Sequence, residues 1–167
     1  MRKFLTSGFT LIELLAVTSI ILLMTALTLP NYRLNSKQLA LQRSAIKLTQ
    51  DLRRAQELAM SSREVAGVVP YGFGIHFDNS LADRYVLFAD LNNNYHRDAT
   101  DQDMETIQLE PNVTITNLAP ASAFSVLFVP PDPIAFIHDL SSDAQASITL
   151  NNSQTISVNN AGLIAIQ

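Results

Sequence analysis

Residues 9–29 read FTLIELLAVTSIILLMTALTL, and residues 34–62 read LNSKQLALQRSAIKLTQDLRRAQELAMSS. The first stretch holds 21 residues and one charge, Glu13. As a helix it spans about 31 Å at 1.5 Å per residue, matching a bilayer core of roughly 30 Å. Pro30 follows, and the chain turns polar at Asn31, Arg33 and Asn35. The second stretch lacks Gly and Pro. Leu34, Leu41, Ala45, Leu48, Leu52, Ala55 and Ala59 recur at a spacing of seven, then at alternating fours and threes. That spacing draws one apolar stripe along a helix. Leu39, Ile46 and Leu58 widen it. Together the two stretches predict one long N-terminal helix, transmembrane in its first half and amphipathic in its second, packed on a small sheet.

The texture changes after Val65. Short β-rich runs appear at 71–77, 84–89, 106–109, 113–118, 124–129, 134–138, 147–150, 155–158 and 163–166. Turn-rich pieces separate them: Asp78-Asn79-Ser80, Pro130-Pro131-Asp132-Pro133 and Asn151-Asn152-Ser153. Strands joined by short loops without helices between them predict mainly antiparallel sheets. The expected fold class is therefore α+β, one long helix on a β head of seven to nine strands.

The 167 residues are 47% hydrophobic and 16% charged, which argues against general disorder. There is no cysteine, so disulfide frameworks, thiolate metal sites and cysteine nucleophiles are excluded. The net charge of −4 is unevenly spread. Arg2 and Lys3 open the chain. Arg33, Lys37, Arg43, Lys47, Arg53, Arg54 and Arg63 then face only Asp51 and Glu57, a run that reads as a solvated face near anionic headgroups. From residue 64 onward, acids dominate and only Arg84 and Arg97 oppose them. The C-terminal part thus lacks the clustered bases that nucleic-acid binding needs, and DNA is not an expected partner.

An ionisable group inside an apolar helix points to function, because a buried carboxylate must find a cation or a proton. The stretch Gly8-Phe9-Thr10-Leu11-Ile12-Glu13-Leu14-Leu15 resembles the signature of type IV pilins and type II secretion pseudopilins. Pro30 also falls where that family commonly places a proline. The resemblance implies a leader peptide over 1–8, a transmembrane and assembly helix over 9–30, an amphipathic stem over 31–63 and a periplasmic β head over 64–167. It implies cleavage between Gly8 and Phe9 by a prepilin peptidase, N-methylation of Phe9, and pairing of Glu13 with the N-terminal amine of a neighbouring subunit. Localisation would be the inner membrane, single-pass, with the N-terminus cytoplasmic and the head outside. The chain would join a filament of other pilins or pseudopilins and would not be an enzyme.

Three further pieces resemble the GspH/FimT-type minor pilins. They are Leu52-Arg53-Arg54-Ala55-Gln56-Glu57-Leu58-Ala59, the strand Tyr85–Asp90 with its Asx-rich loop, and the ending Ile156–Gly162. Some members of that branch bind DNA through arginines after the final Gly. Here Leu163-Ile164-Ala165-Ile166 follows Gly162 with no base, so a DNA-uptake role is the lesser alternative.

The loop from Asp90 to Asp101 sets the side-chain oxygens of Asp90, Asn92, Asn94, Asp98 and Asp101 at positions 1, 3, 5, 9 and 12, the spacing of a calcium-binding EF-hand loop. Tyr95 stands where that loop needs Gly, and Asp101 stands where it needs Glu. The competing reading is a turn-rich loop whose Asx side chains bond their own backbone. No cofactor is otherwise expected; the alternative is a calcium-dependent binding module on a pilin anchor, with these five residues as the calcium ligands. His76, His96 and His138 lie far apart in sequence, and no G-x-S-x-G elbow is present.

Overall fold

The computed structural model describes residues 8–132, 134–137 and 145–167, the side chains of 28–34 excepted. The expected residues of the leader before Gly8, the side chains of Pro30 and Arg33, and Pro133 and His138 lie outside the described residues. The chain divides into two compact units, Met1–Gln38 and Leu39–Gln167.

Helical backbone covers α1 (Leu11–Met60), with side chains described over 11–27 and 35–60. In the first unit, Thr10 caps the helix: its Oγ1 accepts the Glu13 N–H at 3.3 Å. Thr10 and Glu13 stand at the N-cap and N3 positions, the spacing of a capping box. Leu11, Ile12, Leu14, Leu15, Val17, Ile20, Ile21, Leu22 and Leu23 are all exposed. They point in every direction around the axis, so no single face is defined.

The expectation of one long helix, half of it transmembrane, packed on the head is not met. The helix is described as two stretches, 11–27 and 35–60, and the second compact unit begins only at Leu39. Among the described residues no helix is long and apolar enough to cross a membrane. The packing part of the helix has a physical limit as well. The stripe that meets the sheets starts with Ala40 and Leu41 and continues through Ala45, Leu48, Leu52, Ala55 and Ala59.

Among its described residues the second unit holds nine strands, all antiparallel to their neighbours. They are β1 (Gly72–Asp78), β2 (Arg84–Asp90), β3 (Gln102–Gln108), β4 (Ile115–Ala119), β5 (Ala123–Phe128), β6 (Ala135–Ile137), β7 (Gln145–Leu150), β8 (Gln154–Asn159) and β9 (Ile164–Ile166). One sheet runs β3-β2-β1-β5-β6 and the other β4-β7-β8-β9. Alternation along the strands fills one core. Phe73, Ile75 and Phe77 of β1, Leu87 of β2, Val126 of β5, Ile148 of β7 and Val158 of β8 join the helix stripe in a single buried cluster. Phe77 sits between Tyr85 and Phe124, with ring centroids 5.9 and 5.6 Å away.

Polar contacts fix the helix on this core. The Tyr85 hydroxyl donates to the buried Asp51 Oδ2 at 2.6 Å. The Glu110 N–H donates to Ser44 Oγ at 3.1 Å. Arg54 pairs with Glu105 at 2.8 Å, where both are half-exposed.

The expected turns also appear. Asp78 caps a short 3-10 turn (Asn79–Leu81) by accepting the Ser80 N–H at 2.7 Å. Asn151 and Asn152 both have positive φ, which fits a tight β7–β8 hairpin.

Candidate functional site

The loop joining β2 to β3 starts from Asp90, the last residue of β2 and fully buried. Its Oδ1 accepts the N–H groups of Asn92 and Asn93 at 3.0 and 2.7 Å, and its Oδ2 accepts that of Tyr95 at 3.2 Å. Asp101 at the other end accepts the N–H groups of Leu91 and Asp98 at 3.0 and 2.9 Å. Asp98 takes the amide of Asn92 at 2.9 Å and that of Asn94 at 2.6 Å, together with the hydroxyl and N–H of Thr100. Asn92 Oδ1 accepts from the Asn94 N–H, and Asn94 Oδ1 from the His96 N–H.

The five residues singled out for calcium are thus drawn into one loop, but their oxygens face N–H and O–H donors. Asn92 and Asn94 turn their amide nitrogens, not their oxygens, toward Asp98. Calcium needs six to eight oxygens converging on one point. Among the described residues no group of three or more acidic, His or Cys side chains could hold a metal. This donor pattern does not fit the ion and is that of an Asx-turn network.

Tyr95 has φ +65° and Asn93 φ +62°. The sequence suggested that a side chain at position 95 would resist the left-handed turn. The Tyr95 ring offsets that resistance by stacking on Phe136 of β6, centroids 4.9 Å apart and planes 25° apart.

The charges follow the same bonding. Hydrogen bonds from Thr100, then from Asn92 and Asn94, hold the Asp98 carboxyl well below the usual carboxylate range. Burial pushes the Asp101 carboxyl up, against the backbone N–H groups it accepts.

The loop folds back over the outer face of the first sheet. Phe88 and Leu127 are fully buried yet lie outside the main core cluster. The Arg97 N–H donates to Ser125 Oγ on β5 at 3.2 Å, and the Arg97 side chain clasps Asp103 with two bonds of 2.6 Å. These contacts and the Tyr95–Phe136 stack hold the loop against β5 and β6. Sequence reasoning missed this role, because nothing local marks Arg97 as the residue that ties the loop down.

Beside the loop lies a cleft of about 180 Å³ lined by His76, Asp78, Arg84, Arg97 and Thr106, among others. His76 Nδ1 lies 3.0 Å from Ser125 Oγ. Burial, then the Arg97 charge, lowers the His76 pKa, while Asp78 and Asp103 oppose that shift. Among the described residues no carboxylate hydrogen-bonds the imidazole, and Ser125 is buried. The pair therefore lacks the oriented base and accessible hydroxyl of a nucleophilic triad. Both arginines are already engaged, Arg84 by Asp83 and Arg97 by Asp103.

Gly8, Phe9 and Glu13 are exposed at the start of the first unit. Glu13 has no ion pair among the described residues and sits in a helical stretch that is apolar on all sides. Comparison of the chain with protein-family models, with curated proteins and with solved structures found no match.

Proposed function

We propose that the chain is a filament subunit of the type IV pilin and type II secretion pseudopilin kind, most like the GspH/FimT-type minor pilins. A prepilin peptidase cuts between Gly8 and Phe9 and methylates the new N-terminus. Residues 9–29 hold the protein in the inner membrane before assembly and then pack against other subunits in the filament. The membrane stage is supported by the sequence, 21 residues with one charge.

One observation carries the reading. An exposed, unpaired carboxylate stands five residues after a Gly-Phe bond, on a helix with no polar face. Such a helix is stable only when surrounded by apolar matter, and in those surroundings Glu13 needs a cation. The free amine of Phe9 on a neighbouring subunit supplies one. Glycine at the cut gives a protease room to approach.

Mass spectrometry of the protein from cells containing the peptidase tests the processing. The expected chain lacks residues 1–8 and carries one methyl group on Phe9. A chain that keeps Met1 overturns the reading. Gly8→Val is expected to leave the precursor uncut.

A further inference from the structure

The edges of the two sheets are not alike. An open edge presents unpaired N–H and C=O groups, and proteins usually blunt it with charges, prolines, bulges or short strands. On β3, Asp103 and Glu105 are exposed, and the register with β2 shifts between Leu87 and Phe88. On β4 the register with β7 shifts between Ile115 and Asn117. Pro130 and Pro131 precede β6. Strand β9 has no such device beyond its short length; Leu163, Ile164, Ala165 and Ile166 carry neither charge nor proline.

The pairing shows which β9 groups are open. Thr155 and Gln167 exchange both backbone bonds, at 3.1 and 2.8 Å, and the Asn159 N–H donates to the Leu163 carbonyl at 3.2 Å. Hydrogen-bonded pairs alternate along an antiparallel ladder. Ile164 and Ile166, which oppose Val158 and Ile156, therefore turn their backbone groups away from β8. No further strand pairs with β9 among the described residues.

This edge begins at a groove of about 240 Å³ lined by Arg53, Gln56, Glu57, Gly162, Leu163 and Ile164. Leu163 is 66% exposed. Arg53 and Glu57 stand on the outward side of the helix, and no ion pair engages either of them among the described residues. They are four residues apart, about 6 Å along the axis. Two residues of an extended strand advance about 6.7 Å and point the same way. The two spacings match.

We propose that this groove binds an extended segment of a partner polypeptide, added to β9 as a further strand, whose helix-facing side carries an acidic and a basic residue two positions apart. The acidic residue meets Arg53 and the basic one meets Glu57, which fixes the direction of the added strand. Backbone bonds to Ile164 and Ile166 supply affinity, and the two charges supply choice. This surface is independent of the filament reading, because it lies wholly within the second unit.

The test uses the full chain in detergent micelles and two synthetic seven-residue peptides, Thr-Val-Glu-Val-Lys-Val-Thr and the same sequence with Glu and Lys exchanged. Amide NMR is expected to show saturable shifts and slowed hydrogen exchange at Ile164 and Ile166, with one peptide preferred at least fivefold. Ile166→Pro removes a donor that faces away from β8. It is expected to abolish binding and leave the melting temperature in place. The exchanged pair Arg53→Glu with Glu57→Arg, both exposed, is expected to reverse the peptide preference. No saturation up to about 1 mM overturns the proposal. So does binding that survives Ile166→Pro in a folded protein, or a preference that the exchanged pair does not reverse.

Discussion

Gly74 has no room for a side chain. A Cβ there would lie 2.6 Å from the Val126 carbonyl oxygen and 3.0 Å from Leu127 atoms, and Gly72 meets the Phe128 oxygen in the same way. The missing side chains let Leu127 lie across β1 under the β2–β3 loop. Gly74→Ala is expected to cost about 1–3 kcal/mol, the usual range for overpacking, read from the midpoint of urea unfolding. Two residues away in that face, His76 spends its Nδ1 on Ser125. Glu13 is the opposite kind of residue. Its N–H serves the Thr10 cap, but its carboxylate has no ion pair among the described residues. Glu13→Val keeps the cap donor, so helix content by circular dichroism should stay unchanged. Incorporation into filaments should fall sharply, and normal co-assembly with other subunits would contradict the pairing with the Phe9 amine.

Secondary structure was more legible than its limits. The apolar runs located all nine strands, but β3 starts four residues before the expected run at Thr106. Gln102, Asp103 and Glu105 face solvent on an edge, so they carry no apolar signal. The helix stripe marked the packing side correctly from Leu41 to Ala59. It could not report Asp51, a carboxylate turned inward to meet Tyr85. That bond is a buried one, 2.6 Å long. Tyr85→Phe removes the donor and leaves a buried carboxylate short of a partner, at an expected cost of about 1–3 kcal/mol by chemical denaturation. Burial and the Asp51 carboxylate push the Tyr85 pKa far up. In the unfolded chain the phenol ionises near its ordinary value of about 10. The folded form keeps its proton well above that, so stability is full below about pH 10 and falls as pH rises further. Tyr85→Phe should flatten this alkaline limb of the stability curve.

Across the whole molecule, sequence reading recovered class and order but not neighbours. Nothing local pairs β1 with β5 or β4 with β7, because these contacts depend on distant segments sharing one core. The long packed helix was overturned for a related reason. Periodicity shows that a stripe exists, but not how far a sheet will follow it. The calcium-spaced residues are a different case: the side-chain oxygens of all five accept donors within the loop itself. Thermal melts of the full chain with millimolar calcium and with chelator are therefore expected to coincide. A rise with calcium that Asp90→Ala and Asp98→Ala remove would mean that the loop exchanges its internal bonds for the ion.

The β2–β3 loop has one more consequence. Its shape is written by side chains reaching main-chain N–H groups two, three and five residues onward from Asp90, and by Asp101 reaching back to Leu91. Each reach depends on the count of residues between its ends. Adding or deleting one residue between Asp90 and Asp101 would break several at once and would lift Arg97 off β5. Inserted segments should be refused here, and equally at the β7–β8 turn, where Asn151 and Asn152 bond Asn112, Thr114 and Thr116. Chains that share this fold should therefore differ in length elsewhere and keep these stretches constant, even where their letters have drifted.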